Sequence, residues 1–547
     1  MGWTSRWQNS GDIERKGIDF DILLVEKPYF CQMKNLPIGL QTLESIRELN
    51  CVYVDKTQMI HRLVTKGKYY FLSRPRRFGK SLLISTMKSL FLGKKELFEG
   101  TWIENNWDWS KTNPVIHFSF DGLGYYSQGL DIALIQEIKK WANHFDVSLT
   151  EKDLSRQFRE LLEKVSQKHG SIVLLIDEYD KPIIDFLEFP PYEQAKVNQN
   201  IMRQFYSVLK SAEPYLRFFF VTGVSKFSKV SMFSELNNLK DITLHPDYAT
   251  IAGYTQVELE YYFEDYLQLV ENHLKTNREE LVKQMRYWYN GFSWDGINKV
   301  YNPFGVLNFL DQKRFRNYWF STGNPKFLIQ QMKKQVRFDV ENSKSNGYLL
   351  DKYDIDNLDL VPLCFQTGYL TVKHIDEWTE EMVLDYPNKE VRESMYQFMI
   401  DDIAKNPQRV HTGLTIRDLN QALLTNDLAK VKTIINSLLA SLPYETYKNQ
   451  SEGFYHGLLH LIFSYIGMFV ESEPHLSQGR ADVVVQTPQY IYIFEFKFNH
   501  TAEEAIAQIK NNHYADKYQA AEKPIFGIGV NFNEAQKQID GWLVETS

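Results

Sequence analysis

Short apolar runs alternate with amphipathic segments over the first half of the chain. Helical periodicity is clear at 82–92 and 154–168. Four other runs are rich in β-branched and aromatic residues, as buried strands are: 69–73, 115–120, 172–176 and 217–222. Since strands buried on both faces read as continuous apolar runs, this alternation predicts a parallel α/β sheet covered by helices on both faces.

The pattern changes after about residue 250. Amphipathic helices are predicted at 257–269 and 277–288, and the following segment, 331–440, mixes both patterns. Near the C-terminus the pattern predicts the order α-β-β-α-β, in these segments: 454–469, 481–486, 490–497, 502–518 and 524–530. The last part of the chain is therefore expected to form a second, smaller α/β unit.

These changes of pattern divide the chain into successive regions. A length of 547 residues fits several domains, since a domain holds roughly 100–200 residues. Met33 directly precedes the first clear pattern, so the residues before it are interpreted as an extension. We predict an N-terminal extension, an α/β domain, a helical lid, a mixed linker or winged-helix-like module, and a C-terminal α/β domain, at 1–33, 34–250, 251–330, 331–440 and 441–547.

Composition narrows the environment and the partners. The net charge of -7 argues against a globally basic nucleic-acid binder, so any contact with DNA or RNA requires local basic patches. Three cysteines, an odd and sparse set, fit a reducing cytosol. The longest apolar stretch, 457–470, is too short and too polar to span a bilayer. We therefore expect a cytoplasmic protein with no membrane insertion.

The segment 73–81 follows a predicted strand and opens a predicted helix. It reads Ser-Arg-Pro-Arg-Arg-Phe-Gly-Lys-Ser and matches the end of the P-loop pattern G-x-x-x-x-G-K-[ST], with Arg74 in place of the first glycine. In such a loop the glycine admits phosphate, the lysine pairs with the β/γ-phosphates and the serine hydroxyl holds Mg²⁺. We predict that ATP and Mg²⁺ are bound here by Arg76, Arg77, Phe78, Gly79, Lys80, Ser81 and Leu82.

Four positive charges stand within seven residues of this segment, from Arg74 to Lys80. The alternative interpretation is an ordinary solvated basic turn. Such crowding of like charges is unfavourable unless a polyanion neutralises it. Together with the strand–loop–helix context, the charge cluster favours a phosphate site.

An acidic pair ends the predicted strand 172–176. In Leu174-Leu-Ile-Asp-Glu178, Asp177 is expected to hold Mg²⁺ through water, and Glu178 to orient or activate the attacking water. Acidic pairs after strands are common and mostly structural. The support for a catalytic acidic pair therefore comes from its combination with the P-loop. The next predicted strand ends at Thr222, a candidate sensor of bound ATP, although an ordinary strand-end threonine fits equally well.

A second acidic constellation lies near the C-terminus. Asp482 begins one predicted strand, and Glu495-Phe-Lys497 ends the next. Because the side-chain period of a strand is two, Glu495 and Lys497 share a face. Asp482 and Glu495 are hard oxygen ligands for Mg²⁺, and Lys497 can position or deprotonate a water and offset phosphate charge. By itself, Glu-x-Lys is better explained as a common exposed ion pair. The flanking Phe494 and Phe496, which leave Glu495 and Lys497 on the polar face, and Gly479-Arg-Ala-Asp482 at the right distance favour an active site.

Two further residues are candidates for this constellation. Glu452 is predicted as a helical acid preceding the strand pair, and Gln508 as a residue of the helix that follows it. His456 is better explained as a structural histidine. The segment 445–547 holds seven Lys and Arg against thirteen Asp and Glu, a net of −6, so it should bind nucleic acid weakly without metal.

The chain from about Leu36 onward resembles a bacterial family with an AAA-ATPase-like domain and a C-terminal PD-(D/E)xK nuclease-superfamily domain. The motifs that carry the resemblance are Tyr53-Val-Asp-Lys-Thr57, Arg74-Pro-Arg-Arg-Phe-Gly-Lys-Ser81, Ile176-Asp-Glu-Tyr-Asp180, Val221-Thr-Gly-Val-Ser225, Trp288-Tyr-Asn-Gly291, Tyr301-Asn-Pro303, Gly479-Arg-Ala-Asp482 and Glu495-Phe-Lys497. The resemblance implies an α/β P-loop NTPase sheet of the additional-strand, AAA-like type, a helical lid and linker module, and a C-terminal restriction-endonuclease-like α/β domain. The altered start of the P-loop, with Arg74, is the family's own variant.

Three functions follow from these expectations. The first is an ATP-hydrolysing protein whose Mg²⁺-dependent nuclease domain cleaves DNA or RNA under ATPase control, in defence or mobile-element biology. The second is a signalling ATPase switch whose C-terminal domain binds nucleic acid or a protein without cleaving. The third, a structural protein with dead sites, is disfavoured because both sets of site residues are intact. AAA-type sites often take an arginine from a neighbouring subunit, so a homo-oligomer is also expected.

Overall fold

A computed structural model describes residues 33–546 with internal gaps. The residues outside this description are 1–32, 188–191, 227–237, 320–325, 336–339, 352–354, 356–357, 405–408, 441–460, 464–468, 472–481, 534–535, 537 and 547. Several predicted features therefore lie outside the described residues: the N-terminal extension, Glu452, His456, most of the helix 454–469, and 479–481 of the Gly-Arg-Ala-Asp motif.

Five parallel strands form the first sheet: β1 (Tyr69–Ser73), β2 (Val115–Ser119), β3 (Ile172–Asp177), β4 (Leu216–Gly223) and β5 (Lys240–Asp241). Their order is β2-β3-β4-β1-β5. Strand β4 thus lies between β1, which leads into the P-loop, and β3, which ends in the acidic pair. All residues of β1 and β3 are buried, which is why they read as apolar runs. The predicted parallel sheet of the additional-strand type is confirmed.

The helices of this region begin and end as follows: Leu43–Glu48, Thr57–Lys66, Lys80–Phe91, Tyr125–Gln128, Leu130–His144, Leu154–His169, Lys181–Ile184 and Glu193–Ser211. Both helices predicted between the strands are present. Helix Leu154–His169 starts at an N-cap, where the Asp153 side chain accepts a hydrogen bond from the backbone N–H of Arg156. Its apolar positions are buried, as its amphipathic pattern requires.

The region after residue 250 contains helices Gln256–Tyr262, Glu264–Leu274, Arg278–Tyr289 and Pro303–Gln312. The prediction of one continuous helix over 257–269 is wrong, because the chain leaves the helical conformation at Phe263 (φ -117, ψ 22). The Phe263 side chain is fully buried in a second hydrophobic cluster with Leu259 and Leu267.

The next segment combines six helices with a small antiparallel sheet among the described residues. The helices are Lys326–Lys334, Gly347–Asp351, Leu360–Thr367, Lys389–Ala404, Arg409–Leu424 and Leu428–Ala440. Strands β6 (Ser343–Ser345), β7 (Thr371–Ile375) and β8 (Met382–Asp385) lie in the order β6-β8-β7. This segment connects the first sheet to the C-terminal sheet.

The C-terminal sheet has the order β13-β12-β11-β10-β9. Its strands are β9 (Phe469–Glu471), β10 (Val483–Gln486), β11 (Ile491–Phe498), β12 (Ile525–Asn533) and β13 (Gln538–Thr546). Strands β11 and β12 are parallel and are joined through helix Ala502–Asn511, whereas the other pairs are antiparallel. The predicted strand pair and the following βαβ unit are confirmed.

Two helix boundaries and one strand in this domain differ from the prediction. Phe469, assigned to the end of a helix, begins β9 instead. The predicted helix 502–518 ends at Asn511, and His513 adopts a left-handed backbone with φ 54. Strand β13 was not predicted, because most of its residues are half-buried or exposed and carry no continuous apolar run.

Two further observations concern membrane-spanning helices and the cysteines. Within the described ranges, no helix combines the length and the apolar character needed to cross a membrane. The side chains of Cys51 and Cys364 are buried.

Gly223, at the end of β4, has no room for a side chain. A Cβ there would lie 2.5 Å from both Asp180 Oδ1 and Tyr179 Cδ1. We predict that Gly223→Ala lowers the free energy of unfolding by about 1–3 kcal/mol, because overpacking forces these neighbours to move. Gly347→Ala is the matched control, since its Cβ meets nothing within 4 Å. Equal denaturant midpoints for both variants would contradict the prediction.

Candidate functional site

The P-loop connects β1 to helix Lys80–Phe91. Gly79 caps this helix with a left-handed backbone, φ 87, and no atom lies within 4 Å of the position of its Cβ. The Lys80 ammonium is buried and donates hydrogen bonds to the carbonyl oxygens of Arg74 at 2.9 Å and Pro75 at 3.0 Å. Burial lowers the pKa of Lys80, and the nearby carboxylates oppose that shift. The loop therefore presents a helix N-terminus and a buried cation.

Arg74 does not join the cluster of charges around the phosphate position. Its guanidinium is completely buried and donates to the carbonyl oxygens of Ser73 (2.9 Å), Thr243 (2.9 Å) and Tyr248 (3.2 Å). It also lies 3.8 Å from the centre of the Trp294 ring. Burial lowers the pKa of Arg74 to about 9. The interpretation of four crowded loop cations is corrected: one of them is structural and ties the loop to the segment after residue 250.

The remaining predicted loop residues divide by environment. The Phe78 ring is buried against Phe292 and Trp294, with ring centres 4.8 and 5.5 Å away, so its side chain positions the loop. Arg77 has φ 72 and lies 4.5 Å over the Phe304 ring. Arg76 is exposed, and Ser81 and Leu82 are half-buried in the first helical turn. All five line the same cavity described below.

The acidic pair stands at the end of β3, beside the P-loop. Asp177 is buried and accepts a hydrogen bond from Ser81, while its Oδ1 atom has no partner among the described residues. Burial raises the pKa of Asp177 and of the half-buried Glu178. Glu178 adopts φ 53, which directs the chain sharply at the strand end. The structure thus brings Lys80, Ser81, Asp177 and Glu178 together.

Thr222 lies on β4, between the P-loop strand and the acidic pair. Its backbone oxygen accepts from the N–H of Tyr179 at 3.1 Å. Its hydroxyl is buried and has no hydrogen-bond partner within the described part of the chain. Thr222 does not line the cavity. Its position is compatible with a sensor, and that role stays a prediction.

Asp180 explains why two of the sequence motifs occur together. The buried Asp180 carboxylate accepts from the backbone N–H groups of Val224 (3.2 Å) and Ser225 (2.6 Å) and from the Ser225 hydroxyl (2.6 Å). It therefore locks the turn after β4 to the turn after β3. Sequence reasoning noted both motifs without assigning them a contact. The rest of the segment after Ser225 lies mostly outside the described residues.

A cavity of about 360 Å³ opens beside the P-loop. Residues that were not predicted as site residues form much of its wall: Leu40, Val52, Tyr53 and Val54 before β1, and Tyr254, Pro303, Phe304 and Leu307 after residue 250. A salt bridge of 2.6 Å between Lys56 and Glu258 joins these two walls. An apolar wall next to a basic loop can hold a nucleoside beside its phosphates. The motifs that contain Tyr53 and Pro303 were the signal in the sequence that could have identified this wall.

The acidic constellation of the C-terminal domain is assembled at the junction of β10 and β11. Asp482 directly precedes β10, and its carboxylate accepts from the backbone N–H of Phe496 at 2.8 Å. The Lys497 ammonium lies 3.3 Å from Glu495 Oε1 and donates to Gln508 Oε1 at 2.6 Å. The structure thus brings together Asp482, Glu495, Lys497 and Gln508. Glu452 lies outside the described residues.

The alternation of β11 produces this arrangement. Tyr492, Phe494 and Phe496 point toward the main hydrophobic cluster, whereas Ile491 and Ile493 pack in the cluster that contains helix Ala502–Asn511. Glu495 and Lys497 continue the second face, so they meet Gln508 on that helix. The helix lies close to β12, because a Cβ on Gly529 would be 2.3 Å from the Ala502 carbonyl oxygen.

Glu495 carries the electrostatic signature of this site. The residue is 1% exposed, and its Oε2 atom has no hydrogen-bond partner among the described residues. Burial, together with the neighbouring Asp482, raises the pKa of Glu495 to about 7. Two adjacent carboxylates with one buried, unpartnered oxygen fit a divalent cation. Among the residues that the structure describes, no group of three or more His, Cys, Asp or Glu side chains could hold a metal ion.

The raised pKa of Glu495 predicts a pH-dependent stability in metal-free buffer. Because the folded pKa lies near 7 and the reference value is 4.5, ionisation costs stability progressively between those values. We expect Glu495→Gln to be more stable than wild type above pH 7, by about 1–3 kcal/mol, and equal to it below pH 4.5. Mg²⁺ should stabilise wild type at high pH and leave Glu495→Gln unchanged. A constant difference between the unfolding midpoints of wild type and Glu495→Gln across this pH range would contradict the raised pKa of Glu495.

Comparisons with known proteins identify two domain families in the chain. A family model described as a predicted AAA-ATPase matches residues 37–233, and a model of the PD-(D/E)XK nuclease superfamily matches residues 450–542. A protein of Azotobacter chroococcum mcd 1, named "Uncharacterized protein in vnfD 5'region", is 36% identical over 531 residues, which cover 94% of this chain and 99% of that protein.

One solved structure is also similar over part of the chain. The structure of the Aeropyrum pernix Orc1 protein in complex with DNA aligns with 62% of this chain and 91% of that chain, at 8% identity and a TM-score of 0.25. This similarity is too low to support an argument about ligands. The relative that matches nearly the whole chain and the two domain matches together identify the family. The chain belongs to the family of enzymes that join an AAA-ATPase-like domain to a C-terminal domain of the PD-(D/E)XK nuclease superfamily.

Proposed function

We propose that the chain hydrolyses ATP and that its nucleotide site controls a Mg²⁺-dependent cleavage of nucleic-acid phosphodiesters. The observation that carries the proposal is the simultaneous presence of two assembled sites. Lys80, Ser81 and Glu178 meet beside one cavity, and Glu495 and Lys497 meet on one face of β11.

Residues of the first site have distinct roles in ATP hydrolysis. The backbone N–H groups at the start of helix Lys80–Phe91 bind phosphate oxygens, and the Lys80 ammonium moves from the loop carbonyls to the phosphates. Ser81 and Asp177 would hold Mg²⁺, which neutralises phosphate charge when bound. Glu178 orients the attacking water, and the burial that raises its pKa makes it a stronger proton acceptor.

Residues of the second site fit phosphodiester cleavage. Asp482 and Glu495 would hold Mg²⁺, which supplies Lewis-acid stabilisation of the scissile phosphate when bound. Lys497 is oriented by Glu495 and Gln508, so its ammonium faces the position of the phosphate and of the attacking water. The net charge of −6 over 445–547 disfavours the binding of a polyanion here, and a bound divalent cation would offset that charge.

Control of one site by the other is supported by contacts that begin at the P-loop. Pro75 packs against the turn after helix Leu360–Thr367, since a Cβ on Gly368 would lie 2.6 Å from the Pro75 Cβ. Arg74 and Phe78 pack on Trp294, as described above. The neighbouring Ser293 N–H donates to Thr371 Oγ1 at 2.6 Å, at the start of β7. A shift of the loop on nucleotide binding would therefore act on the β6-β8-β7 sheet.

The contacts continue from that sheet to the nuclease-like domain. Helices Arg409–Leu424 and Leu428–Ala440 pack in the same hydrophobic cluster as β7 and β11. The Tyr492 hydroxyl of β11 donates to the Leu423 carbonyl oxygen at 2.8 Å. Asn436 exchanges hydrogen bonds with the Ile539 backbone of β13, at 2.7 and 3.2 Å. These contacts support coupling through packed elements, which requires two alternative arrangements of at least one of them.

A second candidate function is nucleotide-controlled binding without cleavage. It is favoured by one observation: only two carboxylates, Asp482 and Glu495, converge in the described part of the nuclease-like site. With the acidic charge of the domain, a protein partner would then be a better ligand than nucleic acid.

Two substitutions separate nucleotide binding from hydrolysis. We expect Lys80→Ala to weaken ATP binding by at least tenfold, because it removes the cation that faces the β/γ-phosphates. Glu178→Gln should retain binding and lower ATP turnover about a hundredfold or more. Calorimetry and phosphate release measure the two effects. Unchanged ATP affinity in Lys80→Ala, with an intact fold by circular dichroism, would remove the nucleotide-site assignment.

Metal-dependent cleavage is tested with Asp482→Asn. This variant should lose Mg²⁺-dependent cleavage of single- and double-stranded substrates by about a hundredfold or more, since one anionic metal ligand is lost. Its ATP turnover should stay at the wild-type level. If control by ATP exists, Glu178→Gln should alter the cleavage rate of an intact nuclease site. Cleavage by wild type that equals Asp482→Asn under all nucleotide conditions would favour binding without cleavage.

A further inference from the structure

Three arginines of the P-loop have three different environments. Arg74 is buried, and three carbonyl oxygens accept its hydrogen bonds. Arg77 lies over the Phe304 ring. Arg76 is exposed, lines the cavity and has no hydrogen bond or ion pair with any residue that the structure describes. Arg77 is also exposed and lines the cavity, so Arg76 is distinguished as the loop guanidinium that neither a carbonyl oxygen nor a ring contacts among the described residues.

The position of Arg76 places its charge beside the reacting groups. It stands two residues after Arg74 on the loop that encloses the Lys80 ammonium, and it lines the same cavity as Lys80 and Glu178. Burial is the main cause that lowers the pKa of Lys80, and the charge of Arg76 adds to it, as expected for two neighbouring cations. A polyphosphate entering this cavity would neutralise both.

We propose that Arg76 is a catalytic residue of the ATPase site, whose guanidinium contacts the γ-phosphate, so that no arginine from a second copy of the chain is needed. This inference rests on the proposed ATP hydrolysis. In that reaction the oxygen of a water molecule forms a bond to the γ-phosphorus while the bond from γ-phosphorus to the β–γ bridging oxygen breaks. The bridging oxygen leaves with the electron pair on ADP, and the proton of the water passes to Glu178.

The guanidinium has the geometry that this role requires. Its planar fork donates two parallel hydrogen bonds to phosphate oxygens, which an ammonium cannot do. The charge on the γ-phosphoryl oxygens is stabilised by such a group, and an arginine in this role contributes roughly 10³–10⁵ in turnover in other NTPases. Supply from the same chain makes the site complete in a single copy.

Turnover and affinity measured on the full chain test this inference. Arg76→Ala should lower the ATP turnover number at least about a hundredfold, while the Kd for a non-hydrolysable ATP analogue changes less than about tenfold. Arg76→Lys should recover only a small part of the turnover, because it restores charge without the fork. Arg159→Ala is the matched control, since Arg159 is exposed on helix Leu154–His169 and does not line the cavity.

Oligomer dependence gives an independent measurement. Turnover per chain should be constant on dilution. Lys80→Ala chains keep their arginines but are expected to bind ATP weakly. If turnover falls on dilution and these chains restore it, the arginine is supplied in trans, and the inference is overturned. Wild-type turnover in Arg76→Ala would overturn it as well. If wild type does not exceed Glu178→Gln in phosphate release, the proposed ATP hydrolysis itself fails, and this outcome differs from the other two.

Discussion

The burial of the Arg74 guanidinium is the interaction on which the arrangement of the P-loop depends. Three carbonyl oxygens and the Trp294 ring surround the charge, so its desolvation is offset by hydrogen bonds from a fixed fork. A glycine at this position would remove these hydrogen bonds, and of the three carbonyl oxygens that of Tyr248 would still accept from the Ile251 N–H at 3.2 Å. The loop is therefore anchored at its first residue to the segment after β5 and to the region that forms the opposite wall of the cavity.

The same anchoring begins a series of contacts that runs from the P-loop toward the second domain. Phe78 and Pro75 continue the contact of Arg74, on Trp294 and on the turn at Gly368. The elements that receive these contacts share one hydrophobic cluster with β11 of the nuclease-like sheet. Close-packed interiors transmit small displacements, because they have few alternative arrangements. The proposed control of the second site by nucleotide would act through these packed elements.

The second site depends on a different constraint, the two-residue period of β11. This period separates an aromatic face, which fills the core, from a face that ends in Glu495 and Lys497. The close approach of helix Ala502–Asn511 buries Glu495 almost completely. Burial of this carboxylate beside Asp482 is unfavourable when both are ionised, and a divalent cation would relieve it.

Local patterns determined much of this protein from the sequence alone. Continuous apolar runs identified the strands β1–β4, and the P-loop and acidic motifs named Lys80 and Asp177, because backbone period and ligand chemistry act over a few residues. The environment of Arg74, the cavity wall around Tyr53 and Phe304, and the strand β13 were decided by tertiary structure. These features depend on contacts between segments distant in sequence, and no local pattern records which carbonyl, ring or strand will become the neighbour.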